Sequence, residues 1–476
     1  MQTISEKLSI KEKIGFSLGD CASNLFFQTF ILFLMFYYTD VAGLPAAAVG
    51  TMLLVTRIAD AFFDPTIGFW SDRTNTRWGK FRPFLLWFAL PFAIIGVLTF
   101  TTPGFDTTGK LIYAYISYTA MMFVYSAINV PYSALMGVIT PNSEQRTIVS
   151  SFRFVAAFSG GFIVQLSTLF LVRAFGGGDK QLGWQLAMSC IAGLAFVLFM
   201  ITFFTTKERV EVPKEQKTKF KVDLKDLFKN KPWLLIAGAT VFQLTYIVMR
   251  SSSVVYYFKY YVGVQEFSMF GHVYHLTMDE LTTLFLTSGT IATVVGAIFT
   301  NFFAKIFDKK NTYLGFLIVS AVLCGMFYFL PPKAVILMLV LNLLVSFFFG
   351  PVSVLQWAMY TDVADYSEWK NNRRATGLVM AASLFSLKVG LSLGGALVGW
   401  MLAFHGYIAN LAVQSTFSLH GIVLLMSWYP AVIGVVGGLI MFFYPLTNKM
   451  MIKIEEDLTQ RRIESGNGNL EASPAN

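Results

Sequence analysis

The sequence predicts an all-α membrane protein whose twelve transmembrane helices form two six-helix bundles. Three observations point to this class. Hydrophobic residues make up 55% of the 476-residue chain and charged residues only 13%, whereas a water-soluble domain carries roughly 25% charged residues. Twelve apolar stretches recur along the chain. A long polar connection separates the first six stretches from the last six.

Each apolar stretch reaches, or comes within a residue or two of, the ~20 residues that a helix needs to cross ~30 Å of hydrocarbon. Helices are expected because the strands of a membrane barrel would read as alternating segments of ~10 residues. The predicted spans are 13–39, 46–71, 83–101, 111–138, 147–172, 183–205, 233–262, 280–304, 312–330, 335–361, 375–404 and 422–446.

Lysine and arginine are unevenly distributed over the connections. With the N-terminus inside, the inner tails and loops carry 27 of these residues and the outer connections carry five. The positive-inside rule therefore places both termini in the cytoplasm. The net charge of +9 reflects this bias rather than a basic face for nucleic acid, so the lipid bilayer, and no nucleic acid, is the expected macromolecular environment.

The polar connection divides the chain into predicted domains. An N-terminal six-helix bundle covers 1–205, a cytoplasmic linker 206–232 and a C-terminal six-helix bundle 233–446. The cytoplasmic tail, 447–476, ends in a polar run rich in Gly, Ser and Asn. Such a composition predicts disorder.

The two halves are related to each other in sequence. NVPYSALMGVITPNSEQRTIVSSFRF (129–154) and QWAMYTDVADYSEWKNNRRATGLVMAAS (356–383) both run from a helix through an acidic turn to an arginine and a helix rich in small residues. Six-plus-six duplication is typical of transporters with a site between the halves near the midplane. A duplicated scaffold without transport is the alternative. The four histidines lack catalytic or metal-binding spacing, so an enzyme is not expected.

The second stretch carries ionisable groups in a strongly apolar context. In RIADAFFDP (57–65), Asp60 and Asp64 are four residues apart, so they share one helix face about 6 Å from each other. A charge at the centre of a membrane helix costs about 2.5–3.5 kcal/mol, so the pair is expected to face the bundle interior. Two such carboxylates can ligate a monovalent cation, or one can hold a proton. A structural ion pair with Arg57 or Lys388 is the alternative.

The segment GFWSDRTNTRWGKFRP (68–83) resembles the loop between the second and third helices of the major facilitator superfamily. Its RWGKFRP ending resembles the glycoside–pentoside–hexuronide:cation symporters, the family of melibiose permease. Features matching that family follow one another over about residues 10–450, namely GD…N (19–24), FYYTDVAGL (36–44), RIADAFFDP, NVPYSAL (129–135), DVADYSEWK (362–370) and a lone Lys388 in the eleventh stretch.

This resemblance implies the major facilitator fold, in which two six-helix bundles rock about a central sugar site and open alternately to each side. It implies a multi-pass protein of a bacterial cytoplasmic (inner) membrane that takes up a small sugar. Uptake would be driven by Na+, H+ or Li+, with no cofactor other than this coupling ion. No obligate protein partner is evident.

The family's cation site maps onto Asp60 and Asp64. Ser126 stands where the sodium-using branch has a threonine, so a hydroxyl from the fourth stretch is retained. That branch has a polar amide between the two aspartates, whereas this chain has Phe63, which offers no oxygen. The resemblance therefore favours H+ over Na+ as the coupling ion, with Na+ at Asp60 and Asp64 as the alternative.

Asn24 and Asn129 fall where the galactoside-transporting branch has two sugar-binding carboxylates. Amides bind hydroxyls but lack the charge-assisted bonds of a carboxylate, which argues against a galactoside. Asp20 either joins this site or supports local packing. The substrate-binding candidates are Asn24, Asp20, Asn129, Arg153, Arg250, Gln356 and Lys388.

The basic candidates leave the charge of the sugar open. Arg153 binds substrate or pairs with an aspartate or a loop carbonyl. Arg250 has no acid in its own helix, so in a cavity it would favour a uronide or sulfosugar; pairing with Asp20 or another group of the first helix is the alternative. Lys388 lies about 20 Å into its stretch, where it is expected to act as a movable counter-charge to the aspartates.

The cytoplasmic ends of the two halves carry complementary charges. The loop 72–82 is basic and the helix end 362–368 is acidic, so salt bridges between them would close the inner side. Exposed pairs contribute under about 1 kcal/mol each, so only a network would matter. The predicted gate residues are Asp72, Arg73, Arg77, Lys80, Asp362, Asp365, Glu368 and Arg374.

The predicted function is cation-coupled symport of a glycoside, an oligosaccharide or a sugar acid by alternating access. An uncoupled sugar facilitator would share the fold, but it would not need Asp60, Asp64 and Lys388. A symporter specific for anionic uronides or sulfosugars is the other alternative.

Overall fold

The computed structural model describes residues 8–140, 143–209, 227–269, 272–371 and 376–471. Within these ranges, twelve helices are long and apolar enough to cross a membrane. Each overlaps one of the twelve predicted stretches, so the predicted all-α architecture with twelve spans is confirmed.

The helices of the first half are α1 (Ile10–Thr29), α2 (Ala46–Arg73), α3 (Arg82–Thr99), α4 (Thr107–Val138), α5 (Ser143–Gly176) and α6 (Lys180–Thr205). Those that follow are α7 (Lys231–Tyr256), α8 (Met278–Ile298), α9 (Thr300–Phe307), α10 (Lys309–Gly325), α11 (Val335–Asn371), α12 (Thr376–Phe404), α13 (Thr416–Met426), α14 (Trp428–Phe442) and α15 (Asn448–Glu471). π-Helical turns extend α1 and α7, at Phe30–Leu34, Tyr37–Val41 and Tyr257–Val262, and a 3-10 turn, Met326–Phe329, follows α10.

A short β-sheet lies in the connection between α7 and α8, for which the sequence predicted no secondary structure. Strand β1 (Gln265–Met269) pairs antiparallel with β2 (His272–Leu276), and Gln265 is opposite Leu276. The strands contain Phe267, Val273 and Tyr274, residues of types that favour strands. The segment is too short and too polar to register among the apolar stretches.

The described part of the tail is helical where the sequence predicts disorder. Helix α15 covers Asn448–Glu471. Met451, Ile454 and Leu458 are buried along it, with the spacing of one helix face. The Trp369 indole nitrogen donates to Asp457 Oδ2 at 2.8 Å. Packing of this apolar face accounts for the difference, because the tail's overall composition is polar.

Contacts divide the chain into two compact units. The first comprises Met1–Glu215, Val248–Thr287 and Ser392–Leu425, and the second Gln216–Ile247, Ser288–Leu391 and Met426–Asn476. Segments from the second half of the sequence thus belong to the first unit. The separation at 206–232 into bundles 1–205 and 233–446 stays a prediction.

In the first unit, α1 packs against α5 and α6. A Cβ on Gly160 of α5 would lie only 2.6 Å from the Cys21 carbonyl oxygen of α1. Small residues permit such close helix approach in membranes. This approach brings the polar face of α1, which carries Asp20 and Asn24, against α5.

Candidate functional site

The two aspartates of α2 meet a single hydroxyl from α4. Ser126 Oγ lies 2.8 Å from Asp60 Oδ1 and 2.7 Å from Asp64 Oδ1. Asp60 and Ser126 are each 2% exposed, and Asp64 is half-buried. Pro65 follows Asp64 inside α2 and removes one backbone donor from the helix at this point. The structure thus brings together the three residues predicted to bind the cation.

The Ser126 hydroxyl can act as a donor to only one of its two neighbours. A hydroxyl has one hydrogen to donate and two lone pairs to accept with. Ser126 can therefore donate to only one of the two carboxylates. The contact with the second carboxyl is also a hydrogen bond only if that carboxyl is protonated and donates its proton to the Ser126 oxygen. The arrangement can hold one proton shared between Asp60 and Asp64.

Phe63 lies between the aspartates in sequence and packs against an aromatic ring. Its ring centre is 5.4 Å from that of Phe123 and the two planes are 89° apart, an edge-to-face contact. The side chain at position 63 therefore adds hydrocarbon and no oxygen ligand beside the carboxylates.

Arg57 and two tyrosines surround the aspartate cluster. Arg57 interacts electrostatically with the Tyr118 hydroxyl and with Asp60. Tyr125 of α4 interacts electrostatically with Arg57 and with Asp20, Asp60 and Asp64. Tyr125 is not among the site residues predicted from the sequence. Its position, one residue before Ser126, was the feature of the sequence that could have identified it.

A second polar cluster joins α1, α4 and α5. Arg153 Nε lies 2.5 Å from Asp20 Oδ2, and Arg153 Nη2 donates to Asp20 Oδ1 at 3.1 Å. The Tyr132 hydroxyl lies 2.8 Å from Asp20 Oδ2. The Arg153 guanidinium is also 5.0 Å from the centre of the Tyr132 ring. Both oxygens of Asp20 are thus engaged by one guanidinium, as in the pairing alternative for Arg153.

The two predicted sugar-binding amides lie next to this cluster and differ in which of their side-chain atoms are already hydrogen-bonded. Asn129 accepts a hydrogen bond from Ser23 Oγ at 2.8 Å and donates to the Tyr125 carbonyl at 3.0 Å. Asn24 donates to the Asp20 carbonyl at 2.9 Å. In the part of the chain that the structure describes, the Asn24 side-chain oxygen accepts no hydrogen bond, so it remains available to a hydroxyl.

The remaining substrate candidates are more enclosed. Arg250 is 5% exposed, and its guanidinium is 5.4 Å from the centre of the Phe285 ring. Gln356 is 3% exposed and donates to the Tyr360 hydroxyl at 2.9 Å. Lys388 is half-buried in α12. Gln356 and Lys388 belong to the second unit and the aspartates to the first, so their common site stays a prediction.

The predicted cytoplasmic gate residues are divided between the units as well. In the first unit, the Arg73 guanidinium is 3.4 Å from the centre of the Phe69 ring, that of Arg77 is 4.4 Å from Trp78, and the Lys80 amide donates to Glu208. In the second, Lys309 Nζ donates to both oxygens of Asp362, at 2.8 and 3.0 Å. Asp362 therefore has a basic partner within its own unit. Arg374 lies outside the described residues, and the gate with Asp72, Asp365 and Glu368 stays a prediction.

Comparison with known proteins identifies similar sequences over nearly the whole chain. The family model for MFS/sugar transport proteins matches residues 15–448. The inner membrane symporter YicJ of Escherichia coli is 38% identical over 457 residues, which cover 96% of this chain and 96% of that protein. The isoprimeverose transporter of Lactiplantibacillus pentosus is 35% identical, over 95% of this chain and 92% of its own length.

The fold is shared with a solved transporter structure. The inward open structure of the xylose transporter XylE from E. coli superimposes with a TM-score of 0.60 over 94% of this chain and 98% of that one. Its sequence identity is 15%, so this likeness concerns the fold alone. It agrees with the major facilitator fold expected from the sequence.

Proposed function

Because this chain belongs to the MFS/sugar transport protein family, we propose that it is a proton-coupled symporter of a neutral glycoside or oligosaccharide. Transport by alternating access follows from the fold and from the internal duplication. The observation that carries the coupling proposal is the Ser126 hydroxyl placed between Asp60 and Asp64.

The geometry of this cluster supports a proton as the coupling ion. One hydroxyl within 2.8 Å of both carboxylates is best satisfied when the pair holds one proton. The proton is taken up from the outside and released to the inside, and the charge of the pair changes by one unit in each cycle. Burying an ionised pair is costly, so sugar translocation is coupled to the occupied, less charged form.

The surroundings of the aspartates argue against sodium. A hard monovalent cation requires several oxygen ligands. Position 63, between the two acids, is a phenylalanine in edge-to-face contact with Phe123. Position 63 therefore adds no amide oxygen to the two carboxylates and the Ser126 hydroxyl.

The polar groups of α1, α4 and α5 support a neutral sugar. Arg153 is engaged by both oxygens of Asp20, and Arg250 is buried beside Phe285. Neither guanidinium therefore offers an open binding site for an anion. The Asn24 side-chain oxygen is available to accept a hydrogen bond from a sugar hydroxyl. The relative named as an isoprimeverose transporter supports a sugar of this class.

We place the protein in a bacterial inner membrane with both termini in the cytoplasm. The relative YicJ is named an inner membrane symporter, and the Lys/Arg bias over the connections supports the orientation. Lys388 serves as the counter-charge to the aspartates when no proton is bound. The charged ends around Arg73 and Asp362 take part in closing the cytoplasmic side.

The coupling ion can be assigned with purified protein in proteoliposomes. With isoprimeverose as the probe, an inward proton gradient is expected to drive accumulation above the external concentration, because the shared proton moves with the sugar. An inward sodium gradient at equal pH on both sides is expected to give equilibration only. Accumulation driven by sodium alone would identify sodium as the coupling ion instead of the proton. Equilibration without accumulation under either gradient would indicate an uncoupled facilitator.

The charge of the substrate can be assigned with paired probes. Wild-type protein is expected to take up methyl glucoside or isoprimeverose and to exclude glucuronic acid. Arg250→Ala is expected to reduce all uptake without changing this preference, because Arg250 is buried beside Phe285 and acts on packing. Arg250→Lys serves as the control that keeps the charge. Selective uptake of glucuronic acid that Arg250→Ala abolishes would instead establish an anionic substrate.

A further inference from the structure

A cavity of about 240 Å³ lies among helix ends of the first unit, and no residue assigned to the cation or to the sugar lines it. It is enclosed by the π-helical extension of α1, the end of α5, the start of α6, the end of α7 and the start of α8. The proposed topology places these ends outside, so we call it the outer cavity. Its apolar lining includes Phe36, Val41, Leu169, Val172, Trp184 and Val255.

Three charged side chains also line the outer cavity. Arg173 lies in the last turn of α5, Lys180 begins α6, and Asp279 lies in the first turn of α8. Arg173 and Lys180 are exposed, whereas Asp279 is half-buried. Asp279 interacts electrostatically with both cations. Among the described residues, however, none of these three side chains makes a direct hydrogen bond or ion pair, so their polar atoms are open to a ligand.

The carboxylates next to these residues in the sequence are already hydrogen-bonded. Asp179 Oδ1 accepts from two backbone amides at the start of α6, at 2.8 and 3.2 Å. Glu280 Oε2 accepts from the amide and the hydroxyl of Thr277, at 2.8 and 2.9 Å. Withdrawing a charged group from water without a hydrogen-bond partner is costly. Asp279 is therefore the carboxylate of this group that gains most from a donor on a ligand.

The size of the outer cavity indicates that it holds only part of its ligand. Sites that enclose a whole small molecule measure about 300–1,000 Å³, and this cavity is smaller. Large apolar side chains are exposed on the turns of α5 and α6 that line it, with Phe170 67%, Phe175 44% and Leu182 44% exposed. Such surface faces hydrocarbon in a membrane protein. A ligand with long apolar chains can therefore enter the cavity in part and leave its remainder against these turns.

The charges lining the cavity select the head of such a ligand. Arginine and lysine bind phosphate through charge-assisted hydrogen bonds. A carboxylate accepts hydrogen bonds and pairs with a primary ammonium, which carries three N–H donors. A phosphoethanolamine headgroup supplies both groups. A phosphoglycerol headgroup has no cation for Asp279, and the quaternary ammonium of phosphocholine has no N–H to donate.

We propose that the outer cavity binds one molecule of phosphatidylethanolamine. Its phosphate lies at Arg173 and Lys180, its ammonium at Asp279, and the beginning of one acyl chain among the apolar lining residues. The inference goes beyond the proposed transport function and does not depend on it. It depends on the membrane location and on the charges of this cavity.

Lipid selection can be measured by native mass spectrometry of the purified full-length protein in detergent. Phosphatidylethanolamine, phosphatidylglycerol and phosphatidylcholine with identical acyl chains are offered together at equal concentration. Wild-type protein is expected to retain one phosphatidylethanolamine in preference to the other two lipids. Lys180→Met removes one partner of the phosphate and should weaken binding of all three about ten-fold, since one charge-assisted hydrogen bond contributes at least this factor.

Asp279→Asn separates recognition of the ammonium from a general effect on the cavity. The substitution keeps the size of the side chain and removes its charge. Binding of phosphatidylethanolamine is expected to fall about ten-fold, whereas that of phosphatidylglycerol should not fall, so the preference disappears. A structural role of Asp279 would lower the binding of all three lipids together.

Two further variants complete the series. Val172→Trp fills the apolar part of the outer cavity without changing a charge, and it should abolish the preferential adduct. Lys333→Met is the matched control, because Lys333 is an exposed lysine of another outer connection and does not line the cavity; its lipid binding should equal that of wild type. Unfolding in detergent without phospholipid reports on the lipid-free fold and is expected to be the same for wild type, Lys180→Met and Asp279→Asn.

The proposal is overturned if wild type retains the three lipids equally or prefers phosphatidylglycerol, or if Lys333→Met weakens binding as much as Lys180→Met. Inorganic phosphate added as a competitor distinguishes a lipid from a free anion. Displacement of the lipid by phosphate at concentrations as low as those of the lipid itself would replace the lipid site with an anion site. Protein that selects phosphatidylethanolamine but transports no sugar counts against the proposed function alone, and protein that transports sugar without selecting this lipid counts against the lipid site alone.

Discussion

Asp64→Asn is expected to abolish proton-driven accumulation of sugar while sugar exchange between the two sides of the membrane continues. Asparagine is uncharged at all pH values, so the pair loses the proton that it would otherwise bind and release. The Ser126 hydroxyl, 2.7 Å from Asp64 Oδ1, keeps a polar partner in the variant, so the cavity is preserved. Uptake in proteoliposomes with an imposed pH gradient, and counterflow of labelled sugar without one, measure the two activities separately.

Changes at Ser126 provide the matched controls for this result. Ser126→Thr keeps the hydroxyl between the carboxylates and is expected to accumulate sugar at close to the wild-type level. Ser126→Ala removes the bridging hydroxyl and should reduce accumulation more than counterflow. If Asp64→Asn accumulated sugar in response to a proton gradient as wild type does, the shared proton between Asp60 and Asp64 would not be the coupling site.

Arg153→Met is expected to lower the free energy of unfolding by about 3 kcal/mol, at the lower end of the cost of removing one partner from a buried ion pair. The low end applies because the Arg153 side chain keeps 23% of its surface exposed and that of Asp20 16%. The variant leaves the Asp20 carboxylate beside Tyr132 without its guanidinium. Denaturant unfolding of the purified protein in detergent, followed by tryptophan fluorescence, measures the change.

Two companion variants show whether the loss comes from the unpaired carboxylate. Asp20→Asn combined with Arg153→Met removes both charges and is expected to recover most of the stability. Arg173→Met removes an exposed arginine from the same helix, α5, and should change stability by less than about 0.5 kcal/mol. Equal losses for Arg153→Met and Arg173→Met would mean that the Asp20–Arg153 pair contributes no more than a surface charge.

Much of the aspartate cluster could be predicted because its signal is local. Asp60 and Asp64 are four residues apart in an apolar stretch, which places them on one helix face. The cost of charge in hydrocarbon turns that face inward. Ser126 was predicted from the family resemblance, because the spacing of residues in α4 alone does not distinguish one hydroxyl from the others. The short contacts of the Ser126 hydroxyl with both carboxylates required the structure.

The partners of the buried Asp40 carboxylate could not be predicted from the same patterns. Lys259 and Tyr260 stand 219 and 220 positions after Asp40, and Tyr407 stands 367 positions after it. In the sequence, Lys259 counts simply as one of the five basic residues of the outer connections. Asp40 has no acidic neighbour one helical turn away that would mark it. Only the folded arrangement of α1, α7 and the connection after α12 reveals that these residues meet.

The sequence by itself determined the membrane class, the twelve spans, the family and the inward face of Asp60 and Asp64. Each of these depends on composition, on helical periodicity or on a contiguous motif, and such properties act over a few turns of one helix. The tertiary structure decided which partner each charge takes. Arg153 bonds Asp20, Lys259 bonds Asp40 and Lys309 bonds Asp362. Pairing depends on distances between helices far apart in the chain, and those distances are set by packing at positions such as Gly160 and Gly399.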